Sequence, residues 1–132
     1  MSKFVAGCSF FINLDPHLWF VLTDPMQDDT AVWYVNLSSH DSTANQKYVF
    51  NDPACIVVPG EHRYVVHASC VCYGGAQVAS IAQLERRDHL GQITFHDPAS
   101  ATLLQRMRNC AGDSIHTPPD CWQLLLDQNL AS

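Results

Sequence analysis

The stretch C-I-V-V-P-G-E-H-R-Y-V-V-H-A-S-C-V-C-Y-G-G-A, from Cys55 to Ala76, decides what kind of fold this chain adopts. Ile56, Val57 and Val58 form a β-branched run suited to a buried strand, Pro59-Gly60 turns the chain, and Arg63 to Tyr73 reads as a second strand. Two such runs joined by a short turn predict an antiparallel hairpin. The turn presents Glu61, His62 and Arg63 together. An acid, an imidazole and a guanidinium held at a rigid turn make a candidate reactive or phosphate-contacting group. The competing description is a solvated hairpin tip with no chemistry.

Working outward toward the N-terminus, Cys8 to Asn13 and His17 to Thr23 read as strands separated by Leu14-Asp15-Pro16, and Ala31 to Leu37 as a third. The polar segment from Asp24 to Thr30 predicts a short exposed connection, so the second and third strands should pair antiparallel. Ser38 to Gln46 reads as a loop, and Tyr48 to Phe50 as a brief strand stopped by Asn51-Asp52-Pro53. Strands in close succession without intervening helices predict a small antiparallel barrel or strongly curved sheet, not a doubly wound parallel one.

Toward the C-terminus, Gly74-Gly75 is expected to release the chain from the sheet. Ser80-Ile81-Ala82-Gln83 has the pattern of a capping box that opens a short helix through about Arg87. Gln92 to Phe95 adds a strand. Asp97-Pro98 is expected to cap a helix over 98–111, whose stripe is Leu103, Leu104, Met107 and Ala111, with Arg106 and Arg108 outside it. A last helix over 118–128 follows Thr117-Pro118-Pro119-Asp120. The chain reads as a single domain over 1–132, with a barrel core over about 4–111 and a helical extension over about 112–132. Gly112 to Pro119 is expected to act as a hinge from which that extension could detach.

With 132 residues, 47% of them hydrophobic, one compact domain can bury roughly two thirds of its unfolded surface. The formal charge of −6 provides no whole-molecule field toward nucleic acid or anionic membrane, so any nucleic-acid site must be a local patch. No apolar run reaches the ~20 residues of a membrane span, which predicts no membrane partner. The start M-S-K-F-V-A-G-C lacks the apolar core and cleavage site of a secretory signal, which predicts a reducing, cytoplasmic setting and six reduced cysteines. Cys70-Val71-Cys72 does not match zinc-ligand spacing. Along one strand His67 and Ser69 share one face while Cys70 and Cys72 share the other, so neither a metal nor another cofactor is expected.

No G-x-S-x-G, Gly-rich phosphate loop or H-E-x-x-H occurs. What remains is a set of His and Ser residues at strand ends: His17, Ser38, Ser39, His40, His62, His67 and Ser69. Imidazoles titrate near neutrality and suit proton transfer to and from hydroxyls. Taken singly, each histidine among them is better explained as a surface or hydrogen-bonded side chain.

In order, H-L-W-F-V-L-T-D-P (17–25), A-V-W-Y-V-N-L-S-S (31–39), V-V-P-G-E-H-R-Y-V-V-H-A-S-C-V-C-Y-G-G-A-Q-V (57–78) and I-T-F-H-D-P-A-S-A-T-L-L-Q-R-M (93–107) resemble the layout of the MazF/PemK plasmid-maintenance toxins over roughly residues 6 to 111. The resemblance implies an SH3-like small barrel with a C-terminal helix. It also implies a homodimer that cuts single-stranded RNA without metal and is neutralised by a small antitoxin. Where that family places an arginine before its second strand this chain has His17, and the hydroxyl after the third strand is kept as Ser38 or Ser39. The acid and arginine that some members carry later fall near Tyr73 to Ala76, without charge. The resemblance matches His17 and Ser38 or Ser39 to family positions, and the hairpin supplies Arg63 as a substitute in space for the missing guanidinium, with His17 or His62 as acid or base. The candidate catalytic residues are therefore His17, His62, Arg63 and Ser39, and the candidate substrate-binding ones Ser38, His67, Ser69 and Tyr73. Trp19, Trp33, Tyr34 and Tyr64 are candidates to stack on unpaired bases, although alternation sends at least half of them to the core. The rival expectation is a non-catalytic barrel that binds another protein. Convergence of His17, Ser39, His62 and Arg63 in one pocket favours the enzyme, and their scatter favours the binding module.

Overall fold

The computed structural model describes residues 2–26 and 30–132. Six strands form one sheet: β1 (Ser9–Ile12), β2 (Trp19–Val21), β3 (Ala31–Ser39), β4 (Ile56–Val57), β5 (Ser69–Ser80) and β6 (Ile93–His96), in the spatial order β4-β5-β3-β2-β1-β6. Every neighbouring pair is antiparallel, β2 with β3 included, and the sheet curls into a half-barrel. Among the described residues there are three α-helices: α1 (Ile81–His89), α2 (Ala101–Cys110) and α3 (Pro119–Asp127). The expected class, mainly β with a strongly curved antiparallel sheet and C-terminal helices, is the observed one. Part of the expected connection over 24–30 lies outside the described residues.

Alternation along β2 explains how both faces of the sheet are filled. Trp19 and Val21 pack with Phe10, Val32, Tyr34 and Leu84 of α1, beneath Phe4. Phe20 and Leu22 point the other way, to Val35, Val71, Tyr73, Met107 of α2 and Leu125 of α3. The β3–β5 register carries a large bulge. Tyr34 stands opposite Gln77 and Asn36 opposite Cys72, so residues 73–76 face Val35 alone. The bulge reverses the alternation of β5, since Val71 and Tyr73 face the α2–α3 core before it, and Val78, opposite Trp33, does so after it.

Several local expectations are corrected. Gly74-Gly75 does not release the chain, because β5 runs through it to Ser80. Glycine is needed at 74 for close approach: a Cβ there would lie 2.2 Å from the Val49 side chain and 3.0 Å from that of His116. The hairpin is real, with Ile56 opposite Cys70 and Val57 opposite Ser69, but its second strand starts at Ser69 instead of Arg63. Residues 58–68 form a loop held by side chain to backbone bonds that compete with strand pairing. Glu61 accepts from the Val58 amide, and His62 Nδ1 from the Tyr64 amide. Residues Val49–Asn51 form a 3-10 turn in place of a strand.

Ser80 caps α1 in the expected box, reciprocated by Gln83. The cap of α2 is Ser100, not Asp97: the helix begins at Ala101, and the Ser100 hydroxyl accepts from the Leu103 amide. The hinge expectation also fails, because α3 is built into the core. Cys121 and Leu125 are fully buried, and a Cβ on Gly112 would come within 2.7 Å of the Trp122 ring. Gln128 further ties α3 to both the amide and the carbonyl of Asp24.

All six cysteines are free thiols. Burial pushes the Cys8 and Cys55 thiols up to about 11 and Cys121 up to about 12, which leaves these three protonated and inert at neutral pH. Among the described residues no helix is long and apolar enough to cross a membrane.

Candidate functional site

At one end of the sheet the chain entering β2, the end of β3, the start of β5 and the 58–68 loop enclose a cavity of about 340 Å³. Its walls include His17, Ser38, Ser39, His67 and Ser69, with Phe11 and Tyr64 as an aromatic side. Pairing brings the serines there, since Ser39 stands opposite Ser69 in the β3–β5 ladder and the His40 amide closes that ladder onto the Ala68 carbonyl.

His17 is oriented by a residue that sequence reasoning missed. The Asp15 carboxylate accepts from the His17 amide at 2.9 Å, from His17 Nδ1 at 2.7 Å and from the Trp19 indole at 3.1 Å. Desolvation alone would raise the Asp15 carboxyl, but these hydrogen bonds outweigh it and hold the group below the usual carboxylate range. With Nδ1 held as the donor, Nε2 is left as the acceptor in a residue that lines the cavity. The signal was present in D-P-H-L-W (15–19): an Asp two residues before a His accepts from that residue's amide in an Asx turn, and its second oxygen reaches the indole. Across the cavity wall, the Ser39 hydroxyl and His67 Nε2 are 2.8 Å apart. Ser69 donates to the His67 carbonyl at 3.0 Å, which ties the His67 backbone to β5.

The other expected site residues lie elsewhere. Glu61, His62 and Arg63 point three ways. Glu61 takes a two-pronged bond from Arg106 of α2, at 2.5 and 2.8 Å, while the same guanidinium reaches the Ile56 carbonyl. His62 is buried edge-on against Phe20. Its Nδ1 accepts from the Tyr64 amide, so its Nε2–H donates to the Asp97 carbonyl at 2.5 Å. Arg63 is exposed, with its guanidinium 5.9 Å from the Tyr64 ring, and does not line the cavity. Tyr73 is fully buried and donates to the Met107 carbonyl at 2.5 Å. Thus His17, Ser38, Ser39, His67 and Ser69 share one pocket, and His62, Arg63 and Tyr73 stand apart from it. Of the candidate stacking aromatics, Trp19 and Tyr34 are in the core, and Tyr64 lines the cavity.

Among the described residues no Lys or Arg lines this cavity. Among the described residues no group of three or more His, Cys, Asp or Glu side chains is placed to hold a metal ion. The cavity's chemical resources are therefore two imidazoles, one of them fixed by a carboxylate, three serine hydroxyls and the Tyr64 phenol on an aromatic wall. That set can accept and return protons and donate hydrogen bonds to an oxyanion. No family model, no characterised protein and no solved structure matches this chain.

Proposed function

We propose that the chain is an endoribonuclease of the MazF/PemK type that cleaves single-stranded RNA in the His17–His67 cavity. One observation carries the reading: His17 and Ser39, the two residues that the sequence resemblance matches to functional positions of those toxins, line one pocket with a second imidazole. In this mechanism His17 Nε2, backed by Asp15, removes the proton of the ribose 2′-hydroxyl as it attacks the adjacent phosphorus. His67 in its protonated form returns a proton to the leaving 5′-oxygen, giving a 2′,3′-cyclic phosphate. Ser39 donates to a phosphoryl oxygen, Ser38 and Ser69 line the wall beside it, and Tyr64 stacks on a flanking base. The wider assignment, a toxin that acts as a homodimer and is held in check by a small antitoxin, rests on the same resemblance.

A second reading is favoured by a specific observation: the cavity has no cation, and His62 and Arg63 lie outside it. On that reading the fold is a non-catalytic module that binds another protein. Incubating the purified protein with single-stranded RNA at low salt separates the two. The nuclease yields cyclic-phosphate ends, and His17→Ala lowers the rate by about two to four orders of magnitude. Absence of both binding and cleavage by the unmodified protein sinks the nuclease and leaves the module.

A further inference from the structure

β5 is twelve residues long, but only its beginning is paired on both sides. β3 runs beside it as far as Ser80, whereas β4 meets it only at Ser69 and Cys70. Beyond the 73–76 bulge, the edge of β5 that faces away from β3 has no neighbouring strand among the described residues. Among the described residues no main-chain hydrogen bond from a loop reaches residues 76–79 either. Natural edge strands are usually blunted by charge, proline or a covering element. Here the sequence is Ala76-Gln77-Val78-Ala79, with Gln77 and Val78 exposed and neither charge nor proline present.

The two faces of this edge differ in charge. Val78 and its partner Trp33 open on a groove of about 390 Å³ floored by Leu124 and flanked by Asp120 and Asp127 of α3. Gln77 and Ala79, with their partners Tyr34 and Val32, lie on the opposite face, where a cavity of about 490 Å³ is bordered by Arg86 and Arg87 of α1. None of these four charged groups belongs to an ion pair among the described residues.

We infer that the outer edge of β5 over residues 76–79 is a docking site for an extended segment of a partner protein, added to the sheet as a further strand. The partner's side chains alternate between basic or apolar groups on one face and acidic groups on the other. Main-chain pairing supplies the attachment, and successive side chains of an added strand fall on opposite faces. One set lies over Trp33, Val78 and Leu124 between Asp120 and Asp127, and the other lies toward Arg86 and Arg87. A second copy of this chain is the poorer occupant. Two β5 edges related by a two-fold axis through the sheet would set Arg86 and Arg87 on the same face as their own copies, and Asp120 and Asp127 likewise. The inference is independent of the nuclease assignment, because it uses no residue of the His17–His67 cavity.

The test uses the whole nitrogen-15-labelled protein and a capped synthetic peptide of about nine residues, a usual strand length or slightly more. The peptide has glutamate at odd positions, and lysine alternating with valine at even ones. Titration is expected to move the amide resonances of residues 76–79 together with those of Arg86 and Arg87. The same peptide N-methylated at alternate amides is expected not to bind. The double variant Arg86→Gln, Arg87→Gln, both exposed positions, is expected to weaken binding several-fold or more while the protein remains cooperatively folded, with Tm lowered by only a few degrees. Absence of any shift at 76–79 up to millimolar peptide would overturn the proposal, as would equal binding of the N-methylated peptide. Sedimentation showing that the protein alone dimerises with the 76–79 amides protected would give the edge to a second copy and overturn it as well.

Discussion

Asp15 holds His17 through two bonds at once, one to its backbone amide and one to Nδ1, so the ring has its orientation and its tautomer set by a residue two positions away. The pair needs no distant part of the fold to form. What the fold adds is the opposite wall, Ser39 and His67, brought in by the β3–β5 ladder. In the proposed nuclease, Asp15→Asn keeps an acceptor for the ring but removes the charge that stabilises the imidazolium. It is expected to slow RNA cleavage by roughly one to two orders of magnitude, less than His17→Ala, which removes the base itself. Equal rates for Asp15→Asn and the unmodified protein would exclude His17 as the base.

His62 is expected to behave in the opposite way. Both its ring nitrogens are used inside the protein, so His62→Ala is expected to cost about 2–4 kcal/mol of stability and to leave cleavage per folded molecule unchanged. Denaturant unfolding and an activity assay at a temperature where the variant is folded check the two halves separately. A large loss of rate in a fully folded variant would put His62 back in the chemistry.

The Glu61–Arg106 clip fastens the 58–68 loop to α2, and its loss in Arg106→Ala is expected to cost about 1–2 kcal/mol, or ~3–8 °C in Tm. The Arg106 hydrogen bonds hold the Glu61 carboxyl below the usual range against a smaller opposing effect of burial. A carboxyl depressed in the folded state contributes stability at pH values above its unfolded value of about 4.3, and that contribution is lost as pH falls through the folded value. The gap in Tm between the unmodified protein and Arg106→Ala should therefore be full at neutral pH and shrink below about pH 4. A gap that does not change on acidification would mean that the carboxylate is not the partner that matters.

Because Leu125 is fully buried against the sheet, Leu125→Ala is expected to destabilise by about 2–5 kcal/mol, and removal of residues 118–132 to abolish cooperative unfolding. Thermal melts followed by near-ultraviolet circular dichroism read both. A truncated chain that still melts cooperatively would restore α3 to the status of an appendage.

The sheet was legible because β-branched and aromatic runs alternate and are separated by turn residues, and the capping box at Ser80 was legible because it is local. The fate of Gly74-Gly75 was not. Two glycines read as an exit from the sheet unless one knows that the Val49 and His116 side chains press on residue 74. The hinge at Gly112 misled for the same reason, since its missing Cβ makes room for Trp122 ten residues later. In the site, strand-end imidazoles and hydroxyls were found by residue type, but the three neighbours Glu61, His62 and Arg63 could not be sorted. Whether a loop side chain turns inward depends on what waits there, here Arg106, Phe20 and the Asp97 carbonyl.

Several long-range polar contacts share one trait: a side chain donates and a main-chain carbonyl accepts. Ser9 and His62 both end on the oxygen of Asp97, Tyr73 on that of Met107, and Arg108 on that of Leu22. Any amino acid supplies that oxygen. Selection at these contacts is therefore one-sided, holding the donors while the acceptor positions drift as far as their own packing allows. Between diverging relatives, 62 and 97, 73 and 107, or 22 and 108 would touch in space without changing in step through these bonds. Position 9 and position 62, which never meet directly, would be held for the same carbonyl.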